Sequence, residues 1–203
     1  MVSEPLSNVL IAVPNSGWIR VELLPTLLPY MSRGARLVMP EGLKPAARAR
    51  NECVAALYES ECEWLWFVDH DVLPPEGALD ALLLVGERVV TGVYANLKLD
   101  TDGIVKSVPL IARRDADGDM RVAWPPKANV ERIDRCGAGC WLIHKSVFQE
   151  VGEPWFEERP WRTAAGEEPT GQDFIFGERL EKLKIPMFVC HSVVCRHKKE
   201  VDL

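Results

Sequence analysis

Apolar and polar residues alternate in blocks along this chain, and the blocks change character near its middle. Asn8 to Val13 is an apolar run closed by Pro14-Asn15-Ser16-Gly17, the pattern of a buried parallel strand and its loop. Residues 18–31 place Ile19, Leu23, Leu24, Leu27 and Leu28 at helical spacing, with Pro25 interrupting. Arg36 to Met39 predicts a short second strand, and the Ala-rich stretch Pro45 to Tyr58 a helix. Trp64-Leu65-Trp66-Phe67 predicts a third strand running into Val68-Asp69-His70-Asp71-Val72. A helix near 76–85 and a strand over 88–94 follow. Strand and helix in alternation predict βαβ units around a mostly parallel sheet, a Rossmann-like first half.

From residue 96 onward the blocks become short. Val108 to Ala112 and Met120 to Ala123 flank an Asp-Gly turn, a hairpin signal. Val130 to Asp134 and Trp141 to Ile143 predict further strands. Residues 155–171, rich in Trp, Pro, Glu and Gly, show no period and predict a mobile loop, with 157–171 as a lid. Gln172 to Lys184 predicts a helix and Met187 to Val194 one or two closing strands. With 203 residues and no repeat, the expectation is one domain. Its halves are about 8–95, for a nucleotide, and about 96–198, for an acceptor.

Composition narrows the partners. A net charge of −6 gives no bulk reason to expect nucleic acid. No apolar run reaches the roughly 20 residues of a membrane span, and the start lacks a signal peptide, so the default expectation is cytoplasmic. The six cysteines read as free thiols in that setting. A competing reading is a zinc-stapled interaction module built on Cys136, Cys140, Cys190 and Cys195.

The chemistry concentrates at Asp69-His70-Asp71. A strand end is where open α/β sheets collect ligands, and paired carboxylates there suit a hard divalent cation and a phosphate. On extended backbone Asp69 and Asp71 project to one side and His70 to the other. The competing reading is a solvated turn before Pro74-Pro75. Three other features accompany the pair: the loop Pro14-Asn15-Ser16, the helical Ala47-Arg48-Ala49-Arg50-Asn51, and a late group of Gly137-Ala138-Gly139, Gly171-Gln172-Asp173-Phe174 and His197. Helical spacing lets at most one of Arg48 and Arg50 reach a common ligand.

In their order and spacing these segments resemble the GT-A fold nucleotide-sugar glycosyltransferases, in particular short family 2-like bacterial and phage members. The segments are Val9–Pro14, Ala49-Arg50-Asn51, Phe67–Asp71, Gly137–Ile143, Pro154-Trp155-Phe156, Gly171–Phe174 and Val194–His197. The resemblance implies a three-layer αβα sandwich with a central mixed, mostly parallel sheet. It implies metal-dependent transfer of a sugar from a UDP- or GDP-sugar to a hydroxyl acceptor. Asp69 would face the ribose or the metal, and Asp71 and His197 would ligate Mn²⁺ or Mg²⁺, with an imidazole favouring Mn²⁺. Pro14, Asn15, Ser16, Arg50, Asn51, Gly137 and Gly139 would line the nucleotide-sugar site. Asp173 would be the general base. Trp155, Phe156 and Trp161 could stack on an acceptor sugar, though the first two suit a core equally well.

The chain departs from the family pattern at Gln172, where an acid is usual. That departure leaves open a degenerate protein that binds nucleotide-sugar without turnover. Thr170 and Asp173 also fit a capping box, a structural use of the same carboxylate. A nucleotidyltransferase shares a similar sheet, but Pro14-Asn15-Ser16-Gly17 is poor in the glycine its phosphate loop requires.

Overall fold

In a computed structural model, residues 4–15, 17–40, 42, 44–99, 105–163 and 166–198 are described. β1 (Val9–Ala12) leads through α1 (Leu23–Met31) to β2 (Arg36–Val38), and α2 (Ala46–Tyr58) leads to β3 (Trp64–Val68). A short β4 (Val72–Leu73), α3 (Ala78–Leu84) and β5 (Val89–Val93) complete the first half. Strands dominate next: β6 (Ala95–Leu99), β7 (Val105–Pro109), β8 (Ile111–Arg114), β9 (Met120–Val122), β10 (Val130–Ile133), β11 (Arg135–Cys136) and β12 (Cys140–His144). Then come α4 (Lys145–Val151), β13 (Arg159–Thr163), β14 (Gly166–Thr170), α5 (Gln172–Lys182), β15 (Met187–Val194) and β16 (Arg196–His197).

The central sheet has seven strands in the order β10-β15-β5-β12-β3-β1-β2. β1, β2, β3, β5 and β15 run one way, while β12 and β10 oppose them. The sheet is therefore mixed and mostly parallel, as expected. Along β1, β3 and β12 successive residues alternate between the two faces, because neighbouring side chains of an extended chain point to opposite sides. Leu65 and Phe67 of β3 join Val54, Leu57, Phe148, Phe176 and Leu180 from α2, α4 and α5. Trp66 and Val68 join Leu23, Leu27, Tyr30, Leu79 and Leu82 from α1 and α3. Both faces are covered by helices, which makes three layers and explains the continuous apolar runs of the inner strands.

Several expectations change in detail. α1 begins at Leu23 rather than near residue 18, and Pro25 sits in its first turn, where its missing N–H costs no helical bond. The run 108–112 is split: β7 pairs with β6, whereas β8 pairs with β9 across the Asp-Gly turn. Residues 155–171 are not an aperiodic loop. β13 and β14 pair antiparallel, Arg159 opposite Thr170 and Thr163 opposite Gly166. Backbone pairing supplies an order there that side-chain periodicity does not announce.

The zinc-stapled module is overturned. Cys136 packs in one face of the sheet, and Cys140, Cys190 and Cys195 pack in the other. All six cysteines are free and buried, and among the described residues no three His, Cys, Asp or Glu are grouped to hold a metal. Among those residues, no helix is long and apolar enough to cross a membrane.

Candidate functional site

A cleft of about 570 Å³ opens where β1, β3 and β5 end. Parallel strands deliver their loops to this edge, so side chains distant in sequence meet there. Pro14, Asn15, Arg50, Asp69, Asp71, Asp173 and His197 all line it.

Asp69 and Asp71 arrive differently from what an extended strand predicts. The Asp69 carbonyl accepts from Val72 N–H at 3.0 Å, so the chain turns immediately after β3. The turn breaks the two-residue alternation, and Asp69, His70 and Asp71 all face the cleft. The carboxylates then take separate partners. Arg50 Nη2 donates to Asp69 Oδ1 at 2.5 Å. His197 Nε2 lies 3.2 Å from Asp71 Oδ2.

Two local structures bring those partners in. In α2, Arg48 is exposed while Arg50 is 3% exposed, as helical spacing requires. The Arg50 guanidinium lies over the Phe67 ring at 5.0 Å. Its Nε and Nη1 are buried without a hydrogen-bond partner. Near the C-terminus β16 pairs antiparallel with β4, setting His197 opposite Val72 and hence beside Asp71. The His197 ring is oriented from behind, with Nδ1 3.0 Å from the Ala95 carbonyl and Tyr94 edge-on at 5.3 Å. Burial would lift the Asp71 carboxyl, but the hydrogen bond and charge of His197 pull it below the usual range.

Asp173 stands in the first turn of α5. The Thr170 side chain of the expected capping box lies outside the described residues, and Gly171, which has no side chain to offer, holds the cap position. Asp173 Oδ1 accepts from Phe174 N–H at 2.9 Å instead. Burial raises the Asp173 carboxyl, opposed by the charge of Arg50 and reinforced by that of Asp69. A Cβ at Gly171 would lie 2.5 Å from Asp173 Oδ1, so glycine there makes room for the carboxylate.

Other predicted residues are placed elsewhere. Asn51 does not line the cleft: its amide gives and takes bonds of 2.9 Å with the Phe156 backbone and ties α2 to that segment. Gly137 and Gly139 make room for Tyr94 rather than for a sugar, since added Cβ atoms would meet Tyr94 Oη at 2.1 Å and Cζ at 2.8 Å. Trp155 and Phe156 are core. Asn15 anchors its own loop, donating to the Val13 and Pro40 carbonyls. Ser16 and the Trp161 side chain lie outside the described residues.

Sequence reasoning passed over Lys44, Tyr94, Asn96 and Leu110, which line the cleft, and pointed His70 away from Asp69 and Asp71, whereas it lines the cleft with them. Asn96 Oδ1 and Gln172 Oε1 are buried there without partners. The only local signal was position: Lys44 precedes a helix, and Tyr94 and Asn96 follow a strand. The N-termini of both α2 and α5 open on the cleft; the α2 cap residue Pro45 gives no side-chain bond, while Asp173 takes the Phe174 N–H of α5. Their dipoles favour an anion.

No protein-family model and no curated protein sequence matches the chain. Solved structures do. The chain overlays on A197 from STIV with a TM-score of 0.64 at 20% identity, over 95% of this chain and 86% of that one. GalNAc-T7 with UDP, GalNAc and Mn²⁺ matches at a TM-score of 0.57 and 11% identity, over 98% of this chain but 45% of that one. The inositol-1-phosphate CTP transferase of T. maritima matches at 0.51 and 12% identity, covering 96% and 90%. Together with the seven-stranded sheet, these likenesses identify a GT-A-like α/β fold. At such identities they speak for the fold, and function must be argued from the site.

Proposed function

We propose that this chain is a glycosyltransferase that binds a nucleotide-sugar in the cleft and moves the sugar to a hydroxyl acceptor. The observation behind this reading is the convergence, at one strand edge, of the Asp71–His197 pair, the Asp69–Arg50 pair and Asp173. Two helix N-termini that open on the cleft and the charge of Arg50 in its wall suit a diphosphate. The fold is shared with GalNAc-T7, solved with UDP and Mn²⁺, and with S. aureus TarS residues 1–349, solved with UDP-GlcNAc.

Each residue then has a distinct task. Asp69, held by Arg50, bonds the ribose of the donor, a different role from that of a metal ligand. Asp173 takes the proton of the acceptor hydroxyl as its oxygen bonds to the anomeric carbon. The bond from that carbon to the phosphate oxygen breaks, and a nucleoside diphosphate departs. Its raised affinity for protons suits Asp173 to this step. Arg50 and the helix N-termini offset the charge on the leaving group.

The residues present also fit a divalent ion. Asp71 and His197 offer one carboxylate oxygen and one imidazole nitrogen already oriented from behind, a donor set suited to Mn²⁺ or Mg²⁺. Asp69 is engaged by Arg50, so the remaining ligands would come from phosphate oxygens and water. Such an ion, when bound, would neutralise negative charge on the diphosphate.

Thermal shift with UDP- and GDP-sugars, each with and without Mn²⁺, tests the reading. A native-state ligand at a hundred times its Kd adds about 2.7 kcal/mol. A metal-dependent rise with one nucleotide class, plus release of nucleoside diphosphate, is the expected result. Release of pyrophosphate from a nucleoside triphosphate would instead make the chain a nucleotidyltransferase. Binding without turnover would make it a degenerate transferase.

A further inference from the structure

A second pocket, of about 140 Å³, adjoins the cleft. Leu110, Ile111, Ala112, Val122, Cys136 and Phe174 line it. Leu110 is also a wall of the main cleft, and Phe174 directly follows Asp173 in the first turn of α5. The two spaces therefore share the Leu110 wall and flank the first turn of α5 from neighbouring residues.

Their walls differ in chemistry. In the main cleft Arg50, Asn96 and Gln172 hold buried polar atoms without partners. Among the described residues, none of the atoms left so belongs to the side pocket. Arg135, which also borders it, has its guanidinium bonded to the Asp134 carbonyl at 2.6 Å and Glu181 at 2.6 Å, so its aliphatic stem is what remains. Burial pushes the Cys136 thiol up, and Trp141 Nε1 and Met187 already occupy its sulfur. The main cleft is built for a polar ligand and the side pocket for an apolar one. Phe174 is 44% exposed and Val122 46% exposed, leaving apolar surface in water that a ligand would cover. An apolar cavity of about 150 Å³ is known to hold one benzene ring.

We propose that the side pocket seats a single aromatic ring carried by the acceptor beside the hydroxyl that Asp173 deprotonates. This rests on the transferase reading for the identity of the hydroxyl, but the pocket can be probed by binding alone.

The probe is benzyl alcohol, followed by saturation-transfer NMR on the intact chain, alongside the UDP- and GDP-sugar thermal shift. Ala112→Leu fills the pocket from β8, and Val122→Phe fills it from the exposed side of β9. Neither residue lines the main cleft. Saturable binding by the parent, weakened at least about tenfold in either folded variant with the sugar-nucleotide shift unchanged, is the expected result. Absence of saturable binding, or equal binding in the parent and both variants, overturns the proposal. If benzyl alcohol binds as expected while no nucleotide-sugar does, the side pocket stands and the transferase reading falls. If the donor binds and benzyl alcohol does not, the inference alone fails.

Discussion

At the residue scale, the site is a set of opposite-charge pairs rather than a bare cluster of acids. Arg50 is buried and its partner Asp69 is one-quarter exposed, so the pair depends on both members. Arg50→Met strips Asp69 of its counter-charge and is expected to cost about 3 kcal/mol, read by denaturant titration. Asp173→Asn is expected to lower kcat by about 10²–10⁴ while leaving the nucleotide-sugar thermal shift intact. The sign of its pH dependence follows from burial. A base works ionised, and the Asp173 carboxyl is raised above 3.8, so kcat/KM falls as pH drops through a value higher than that. An acid limb that stays in place in Asp173→Glu and Asp173→Asn would assign it to another group. The Asp-x-Asp pair was legible from residue type and position, and Asp173 from the resemblance of Gly171–Phe174 to the family pattern. The Arg50–Asp69 pairing was not, because only packing decides which donor reaches which carboxylate.

At the element scale, short backbone features do the positioning. The turn after β3 faces Asp69, His70 and Asp71 to the cleft together, and the β4–β16 pairing carries His197 to Asp71. Gly171 leaves room for the Asp173 carboxylate at the head of α5. Gly171 has φ −55, so Gly171→Ala strains no backbone, yet its Cβ displaces that carboxylate. Turnover is expected to fall with Tm nearly unchanged, measured by calorimetry beside steady-state kinetics. Gly137→Ala is the contrast. Its Cβ would meet the Tyr94 side chain inside the fold, and overpacking of that kind costs about 1–3 kcal/mol. The expected outcome is a lowered denaturation midpoint. Element type was legible for most of the chain, since apolar runs and helical spacing are local. The β13–β14 hairpin was not, because its pairing comes from backbone groups that every residue shares.

At the scale of the whole molecule, a GT-A-like sheet brings loops from both halves to one edge. The Asp71–His197 pair joins residues 126 apart in sequence, from the two halves of the chain, so metal response should report on the assembled fold. Asp71→Asn and His197→Ala are each expected to remove the Mn²⁺-dependent part of the nucleotide-sugar thermal shift and leave the unliganded Tm within a few degrees. A full Mn²⁺ response in both variants would place the metal elsewhere. By itself the sequence determined the α/β class, the order of the main strands and helices, and the candidacy of Asp69, Asp71, Asp173 and His197. The class, the element order and the Asp69–Asp71 pair follow from local periodicity and residue chemistry, which need no knowledge of distant neighbours, whereas Asp173 and His197 rest on the resemblance in the order of segments. Tertiary structure alone decided that Asn51 serves Phe156, that Gly137 and Gly139 serve Tyr94, that the cysteines lie on opposite sheet faces, and that Lys44, Tyr94 and Asn96 line the cleft. Each of those facts depends on which side chains packing brings within a few ångströms, and spacing along the chain does not encode that distance.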